Sequence, residues 1–379
     1  MKILHICSGY SKQSLYKNMF LSLTSYKINQ IVFVPVRSKM ELNKNNIQDN
    51  KNIKIIYKFI LKKLHRLFFF KKIKLVSKVI NKEIDFNEIQ LIHAHFLFSD
   101  GAVALKQKKI FNIPYIVAVR NTDVNFFFKY MFFLRNKGEE ILLNAEKIIF
   151  VTPKYRDLVL KKYISQQNRF IISEKIDIIP NGLDSFWLKN KNMIDSNFSS
   201  SEIKLLYVGD FTPNKNVKAI INSVLQLHNK GIAIHLTLVG GGGYNSEKTL
   251  KLVNECDTSL FTFHKRTTSK EQLLNHYRNN NIFIMPSFKE TFGIVYLEAM
   301  SQGLPILYSQ NQGIDGYFKY RRPGYSVDPN SLNDICDKIL LIFKNFESLS
   351  TNASYHIDNF SWDKISLEYN NIYSNCINN

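Results

Sequence analysis

The feature that most constrains this chain is a rhythm. Short apolar runs that read as strands alternate with longer stretches of helical pattern. KILHI, QIVFVPV, LIHAHF, YIVAV, KIIFV and KIDIIP are the strand-like runs of the first half, and the Leu/Lys-rich stretches between them read as helices. Such alternation builds βαβ units and a parallel sheet. The rhythm stops at a polar patch, KNKNMIDSNFSSSE, and restarts with IKLLYVG, AIHLTLVG, LFTFH, NIFIMP and PILYS. The patch is Asn/Ser-rich with few core residues, as a linker would be. A chain of 379 residues also exceeds what one hydrophobic core usually fills, about 250–300 residues. Two doubly wound α/β domains are therefore expected, at 1–183 and 203–357, joined by a linker at 184–202. The final stretch, 358–379, reads as a helix with Ser361 as N-cap and Trp362 in its first turn.

Charge narrows the partners. The formal net charge is +20, which favours an anionic partner: nucleic acid, anionic lipid or a phosphorylated ligand. An AT-rich coding bias toward Lys, Asn and Ile accounts for scattered charge equally well. The four cysteines, Cys7, Cys256, Cys336 and Cys376, form no CxxC pair, so neither a disulfide framework nor a zinc site is suggested and a reducing cytosol fits. MKILHICSGY lacks a signal-peptide shape, and no apolar run reaches the 18 or so residues of a spanning helix.

The chemistry-bearing motifs fall just after predicted strands, where open parallel sheets bind ligands. In YVGDFTPNKNVKAI a helix should start near Asn214, with Lys215 in its first turn beside free backbone N–H groups; that suits a diphosphate, and a solvated lysine is the plain alternative. The four glycines of LTLVGGGGYNSEK follow a strand, but no Gly-Lys-Ser/Thr comes after, so a structural turn is favoured over a phosphate loop. His93 and His95 lie on one face at a strand's end, and no third metal ligand is evident. No Asp-x-Asp motif occurs. Arg120 and Asp123 end another strand and would either project toward a ligand or form a salt-bridged loop.

PSFKETFGIVYLEAMSQGLPIL holds the sharpest constellation. Glu290 precedes a predicted helix and Glu298 lies inside it. Eight helical residues would separate them by about 12 Å, too far for an acid and a base acting on one bond. Thr291, Phe292 and Gly293 would offer free N–H groups between them. The spacing therefore suits a clamp on an extended nucleotide-sugar.

Together these motifs resemble glycosyltransferase family 4, retaining enzymes of the GT-B fold. The segments that carry the resemblance are IIPNGLDSFW, VGDFTPNKN, LVGGGG, the two-glutamate segment, GIDG and the terminal FSWDKI. The resemblance implies two Rossmann-like domains facing a cleft, with the C-terminal helix crossing back to the first. It implies that Lys215 holds the donor diphosphate. Glu290, with N–H groups of Thr291, Phe292, Gly293 and Ile294, would bind the transferred sugar, and Glu298 the ribose. His264, Lys265 and Arg266 would lie near the base, and Gly9 near the diphosphate. Lys215, Glu290 and Arg120 are the catalytic candidates, with Arg120 and Asp123 on the acceptor side. Two departures stand out. Asp210 occupies a position where many members carry arginine, and Arg120, Lys265 or Arg266 would have to replace that cation. Arg120 stands where many have histidine.

The reading that follows is transfer of a hexose or N-acetylhexosamine, with retention, from a UDP-sugar to a saccharide acceptor, without metal or cofactor. Such a reaction belongs to surface polysaccharide synthesis: capsule, O-antigen or exopolysaccharide. From Lys51 to Lys82 there are eleven Lys and Arg residues and no acid, interleaved with Tyr57, Ile60, Leu61, Leu64, Leu67 and Phe68 at helical spacing. A basic amphipathic helix of this kind lies on anionic membranes, so Lys58, Lys62, Lys63, Arg66, Lys71 and Lys72 are expected to meet the cytoplasmic leaflet, and the acceptor to be lipid-linked. A domain helix packed on the sheet is the other reading. A nucleotide-sugar epimerase and an inactive partner subunit of GT-B fold are alternatives; a nucleic-acid partner is disfavoured because no such motif is present.

Overall fold

The computed structural model describes residues 1–192, 201–243, 246–255 and 257–378. The chain divides into two compact units, Met1–Gly182 with Trp362–Asn379, and Leu183–Ser361.

The first unit is built on a seven-stranded parallel sheet. Its strands are β1 (Lys2–Ile6), β2 (Asn29–Val36), β3 (Ile53–Phe59), β4 (Leu91–Ala94), β5 (Tyr115–Val119), β6 (Lys147–Phe150) and β7 (Ile176–Ile178), in the order β3-β2-β1-β4-β5-β6-β7. Successive residues point to opposite faces, and both faces are buried. Leu4, Ile6, Ile92 and Val117 join one core, while Ile3, Val32, Leu91 and Ile116 join the other. That is why these strands read as unbroken apolar runs rather than alternating ones.

The second core is completed from the far end of the sequence. Helix Trp362–Asn378 contributes Ile365, Tyr369, Ile372 and Tyr373 to it. The Trp362 ring lies so close to Gly182 that a β-carbon there would stand 2.4 Å from it, so PNGLD and FSWDKI are two halves of one contact.

The second unit holds β8 (Ile203–Gly209), β9 (Ile234–Gly240), β10 (Phe261–Lys265), β11 (Ile282–Met285), β12 (Ile306–Ser309) and β13 (Gly324–Val327), all parallel, in the order β10-β9-β8-β11-β12-β13. Helix Val217–Asn229 buries Ile220, Ile221, Val224 and Leu227. Gly240 abuts Gly209, whose carbonyl oxygen would lie 1.9 Å from a β-carbon at 240; the glycine run starts as a packing device.

Three expectations change. The basic stretch 51–82 is no single helix. Ile53–Phe59 is an edge strand, a short 3-10 turn covers Lys63–Arg66, and the helix runs only over Phe69–Glu83. Residues 184–192 do not behave as linker: helix Ser185–Lys189, capped by Asp184, buries Trp187 against Tyr277, with ring centroids 5.4 Å apart. Of the rest of that expected linker, residues 193–200 lie outside the described residues. Finally, the sequence reading contained no counterpart of β13.

Candidate functional site

The second sheet reverses its strand order between β8 and β11, the place where doubly wound sheets bind ligands. The loops that follow those two strands carry Lys215 and Glu290. They are stitched together by residues the sequence reading passed over. Asn214 Nδ2 donates to the Lys289 carbonyl at 2.8 Å, and Phe288 N–H returns a bond of 2.8 Å to the Asn214 carbonyl. Asn216, in the left-handed region at φ 56°, donates to the carbonyls of Pro286 and Pro329.

Lys215 ends a 3-10 turn, Pro213–Lys215, just ahead of the helix rather than inside it. Its ammonium lies 2.6 Å from Glu290 Oε2, with both side chains largely buried. Glu290 Oε1 accepts the Thr291 N–H at 3.0 Å. The backbone of Glu290 is held as well: its N–H donates to Gln312 Oε1, and its carbonyl accepts from Gly313 N–H at 2.7 Å. Gly313, at φ +54°, lies directly against Glu290, and a β-carbon there would be 3.1 Å from Glu290 Cγ. GIDG is thus the floor beneath Glu290.

The helix after this loop spans Ile294–Ser301. Glu298 is therefore five residues into the helix, and Glu290 lies four residues before it. The 12 Å expectation, which assumed helix throughout, does not apply. The N–H groups of Phe292, Gly293 and Ile294 donate to no partner among the described residues, as a helix start leaves them. Glu298 is half-buried and accepts a hydrogen bond of 2.9 Å from Tyr277 Oη. Burial pushes its carboxyl up to about 7, against the pull of the Tyr277 hydroxyl.

Asp210 has a partner. Arg266, just beyond β10, donates to it at 3.0 Å, with both side chains well exposed. A cation therefore stands beside the loop where an arginine was missing, supplied from a strand 56 positions away. Lys265 ends β10 and His264 lies within it, its ring 4.4 Å from that of His276.

The first unit brings together another set. Arg120 donates to Asn181 Oδ1 at 2.8 Å and stands 5.9 Å over the Tyr16 ring. Asp123 is fully buried, and its two oxygens accept the N–H groups of Leu97, Phe98 and Arg120. Its work is to hold the loop, and burial raises its carboxyl to about 6. Gly9 faces the Phe96 ring, 2.7 Å from where a β-carbon would stand.

The HAH pair gains the third imidazole that sequence could not locate. His5, His93 and His95 are all fully buried, with ring nitrogens within 4.8 Å of one another. His5 Nδ1 and His95 Nε2 share a hydrogen bond of 3.1 Å, and His93 Nδ1 shares one of 2.7 Å with Tyr373 Oη. Burial holds all three neutral, His5 down to about 3. No carboxylate belongs to this cluster among the described residues and Arg120 disfavours positive charge there, a poor setting for a dication.

The basic residues separate too. Lys72 is buried at 6% exposure and donates to Ser99 Oγ, so it is not a surface contact. Lys58 pairs with Glu83 at 2.6 Å. Lys62, Lys63 and Lys71 are exposed beside exposed Leu64, Leu67, Phe68 and Phe70. The Arg66 side chain lies outside what is described. Among the described residues no helix is long and apolar enough to cross a membrane.

Two such sheets define the GT-B architecture, and comparison with known proteins gives it the class of glycosyltransferases. The model for Glycosyltransferase Family 4 matches residues 28–185 and that for Glycosyl transferases group 1 matches 189–355. An uncharacterised glycosyltransferase of Methanocaldococcus jannaschii is 27% identical over 334 residues, 82% of this chain and 84% of its own length. The lipopolysaccharide outer core galactosyltransferase WaaB superposes with a TM-score of 0.75 at 19% identity, over 99% of this chain and 100% of its own. Anabaena HepE in complex with UDP-glucose superposes with a TM-score of 0.69 at 15% identity, over 99% and 100%. The chain belongs to glycosyltransferase family 4.

Proposed function

We propose that the protein transfers a hexose or N-acetylhexosamine from a UDP-sugar to a saccharide acceptor with retained anomeric configuration. The observation that carries this reading is the Lys215–Glu290 pair at the reversal point of the second sheet, beside a free helix N-terminus. Lys215, Arg266 and the N–H groups of Phe292 to Ile294 supply positive charge for a diphosphate from three directions, so the proposal invokes no metal. HepE, of the same fold, is seen with UDP-glucose.

In this reading the diphosphate displaces Glu290 from Lys215, and the freed carboxylate accepts hydrogen bonds from the sugar hydroxyls. Glu298 takes the ribose hydroxyls. The donor C1–O bond breaks, the acceptor oxygen bonds to C1 on the same face, and its proton passes to the leaving phosphate. Charge stabilisation on that phosphate is the main catalytic contribution.

The acceptor is proposed to be a lipid-linked saccharide of a surface polysaccharide, met at the cytoplasmic leaflet. WaaB, whose name places it in lipopolysaccharide outer core synthesis, shares the fold. Lys62, Lys63 and Lys71 beside exposed apolar side chains form the contact. Liposomes of anionic lipid should bind the protein at low salt; no sedimentation with them would remove this part. For the reaction itself, UDP release is the measurement. Lys215→Ala and Glu290→Ala should each lower turnover by about 10²-fold or more, and unchanged turnover in either would sink the assignment.

A further inference from the structure

The first sheet also reverses its strand order, between β1 and β4. A cavity of about 440 Å³ opens at the loops that follow those two strands, the size and place expected of a ligand site. None of the groups assigned above to the donor uses it, apart from the loop at Gly9. Lys12, Arg37 and Lys72 give the cavity a cationic wall, and a smaller neighbouring cavity shares all three. Phe69, Phe96, Phe126 and Phe127 give it an aromatic one.

Lys72 is the telling residue. It lies almost wholly buried, with one hydrogen bond of 2.9 Å to Ser99 Oγ and with the Phe69 and Phe127 rings 5.5 and 5.8 Å away. Among the described residues no carboxylate comes within ion-pair distance of it. The nearby acids are engaged elsewhere. Asp123 holds three backbone N–H groups, Asp100 accepts from Ser8 N–H, and Glu41 accepts from Arg37 and Ser38 N–H while standing 3.8 Å from Lys12. A buried ammonium with no anion in direct contact is costly; Asp100 and Asp123 favour its charge through space, yet burial outweighs them and draws it down to about 8. An incoming anion would recover that cost. The cavity's rim is apolar: Phe126 is half exposed, and Phe70, packed on Phe69 at 5.3 Å, is 62% exposed. Leu67 and Phe68 continue the exposed apolar surface.

We propose that this cavity binds the phosphate of a phosphorylated lipid acceptor, with Lys12, Arg37 and Lys72 on the phosphate and the hydrocarbon chain leaving over Phe126 and Phe70. Calling the ligand an acceptor rests on the transferase reading above; the binding site does not.

Calorimetry with three probes tests it: geranyl phosphate, geraniol and inorganic phosphate, each against the wild-type protein and Lys72→Met, which keeps the buried stem and removes the charge. Geranyl phosphate should bind at least about tenfold more tightly than either of the others, and Lys72→Met should weaken it about tenfold or more, the size of one charge-assisted contact. Lys12→Gln, at an exposed position, should weaken it in the same direction and guards against a folding defect in Lys72→Met. UDP binding should be unchanged in both variants. Geraniol binding as tightly as its phosphate, inorganic phosphate binding as tightly as geranyl phosphate, or indifference to both substitutions would each overturn the proposal. Failure of the wild type to bind UDP would instead strike the transferase reading and leave the lipid-phosphate result standing.

Discussion

At the scale of single residues, the site works by exchange of partners. Lys215 and Glu290 neutralise one another at 2.6 Å, which stores both in place for a ligand that carries an anion and a set of hydroxyls. Arg266 and Asp210 make a second pair, and it carries a prediction. Arg266→Ala should weaken UDP binding about tenfold, and adding Asp210→Arg in that background should restore much of it, because the second change returns a cation to the same loop. Titration calorimetry reads both. Glu298 carries another. Its carboxyl holds a proton up to about pH 7 in the folded chain, against 4.5 ordinarily. Folding is therefore favoured by this group below about pH 4.5, and that advantage is lost as pH rises toward 7, because the unfolded chain ionises first. Glu298→Gln keeps a partner for Tyr277 and should be more stable than wild type at pH 8 by about 1–3 kcal/mol, with no gain at pH 4. Chemical denaturation at the two pH values decides it. The types and order of Lys215, Glu290 and Glu298 were legible in the sequence because each sits in a motif. The Asp210–Arg266 pair was open only as one of several candidates, since nothing local links positions so far apart.

At the scale of elements, most strands that sequence identified are central and buried on both faces, and the edge strands β7 and β10 were identified with them from KIDIIP and LFTFH. β3, also an edge strand, escaped because of its local sequence. In IKIIYKF the lysines interrupt the apolar residues, and the surrounding lysine-rich stretch continues into a true helix, so the two merged into one amphipathic pattern. Its apolar residues on alternate faces, with Ile53, Ile55 and Tyr57 toward one core and Ile56 toward the other, were the available signal. β13, only GYSV, has too little apolar content to register. The imidazole trio shows the same limit. His93 and His95 share a strand, but His5 joins them only through the β1–β4 register, which pairs His5 with His93. That trio leans on the C-terminal helix through Tyr373. Tyr373→Phe leaves the His93 nitrogen unpaired in the core, and a loss of about 1–2 kcal/mol is expected, measurable by urea denaturation at pH 7.

At the scale of the whole molecule, the second unit is an insertion. Its chain enters at Leu183 and leaves at Ser361, and those two residues form a parallel bridge, with Leu183 N–H donating to the Phe360 carbonyl at 2.8 Å. A segment whose ends meet, with its own six-stranded sheet and core, should fold alone. The fragment 183–361 should therefore be soluble, melt cooperatively and bind UDP within about tenfold of the full chain; an unfolded fragment by circular dichroism would refute this. The reverse does not hold for the first unit, whose sheet has one face covered in part by Ile365, Tyr369, Ile372 and Tyr373.

That covering helix has a consequence in time. Residues leave the ribosome in order, so the opening 182 residues are present long before the 17 that finish their core. While the second unit is made and folds, the core of Ile3, Leu91 and Ile116 is filled in part by helix Leu15–Leu23 and lacks what Ile365, Tyr369, Ile372 and Tyr373 supply. The unit whose sheet is synthesised first is thus completed after the second, and the nascent chain carries a partly covered apolar face until helix Trp362–Asn378 is released.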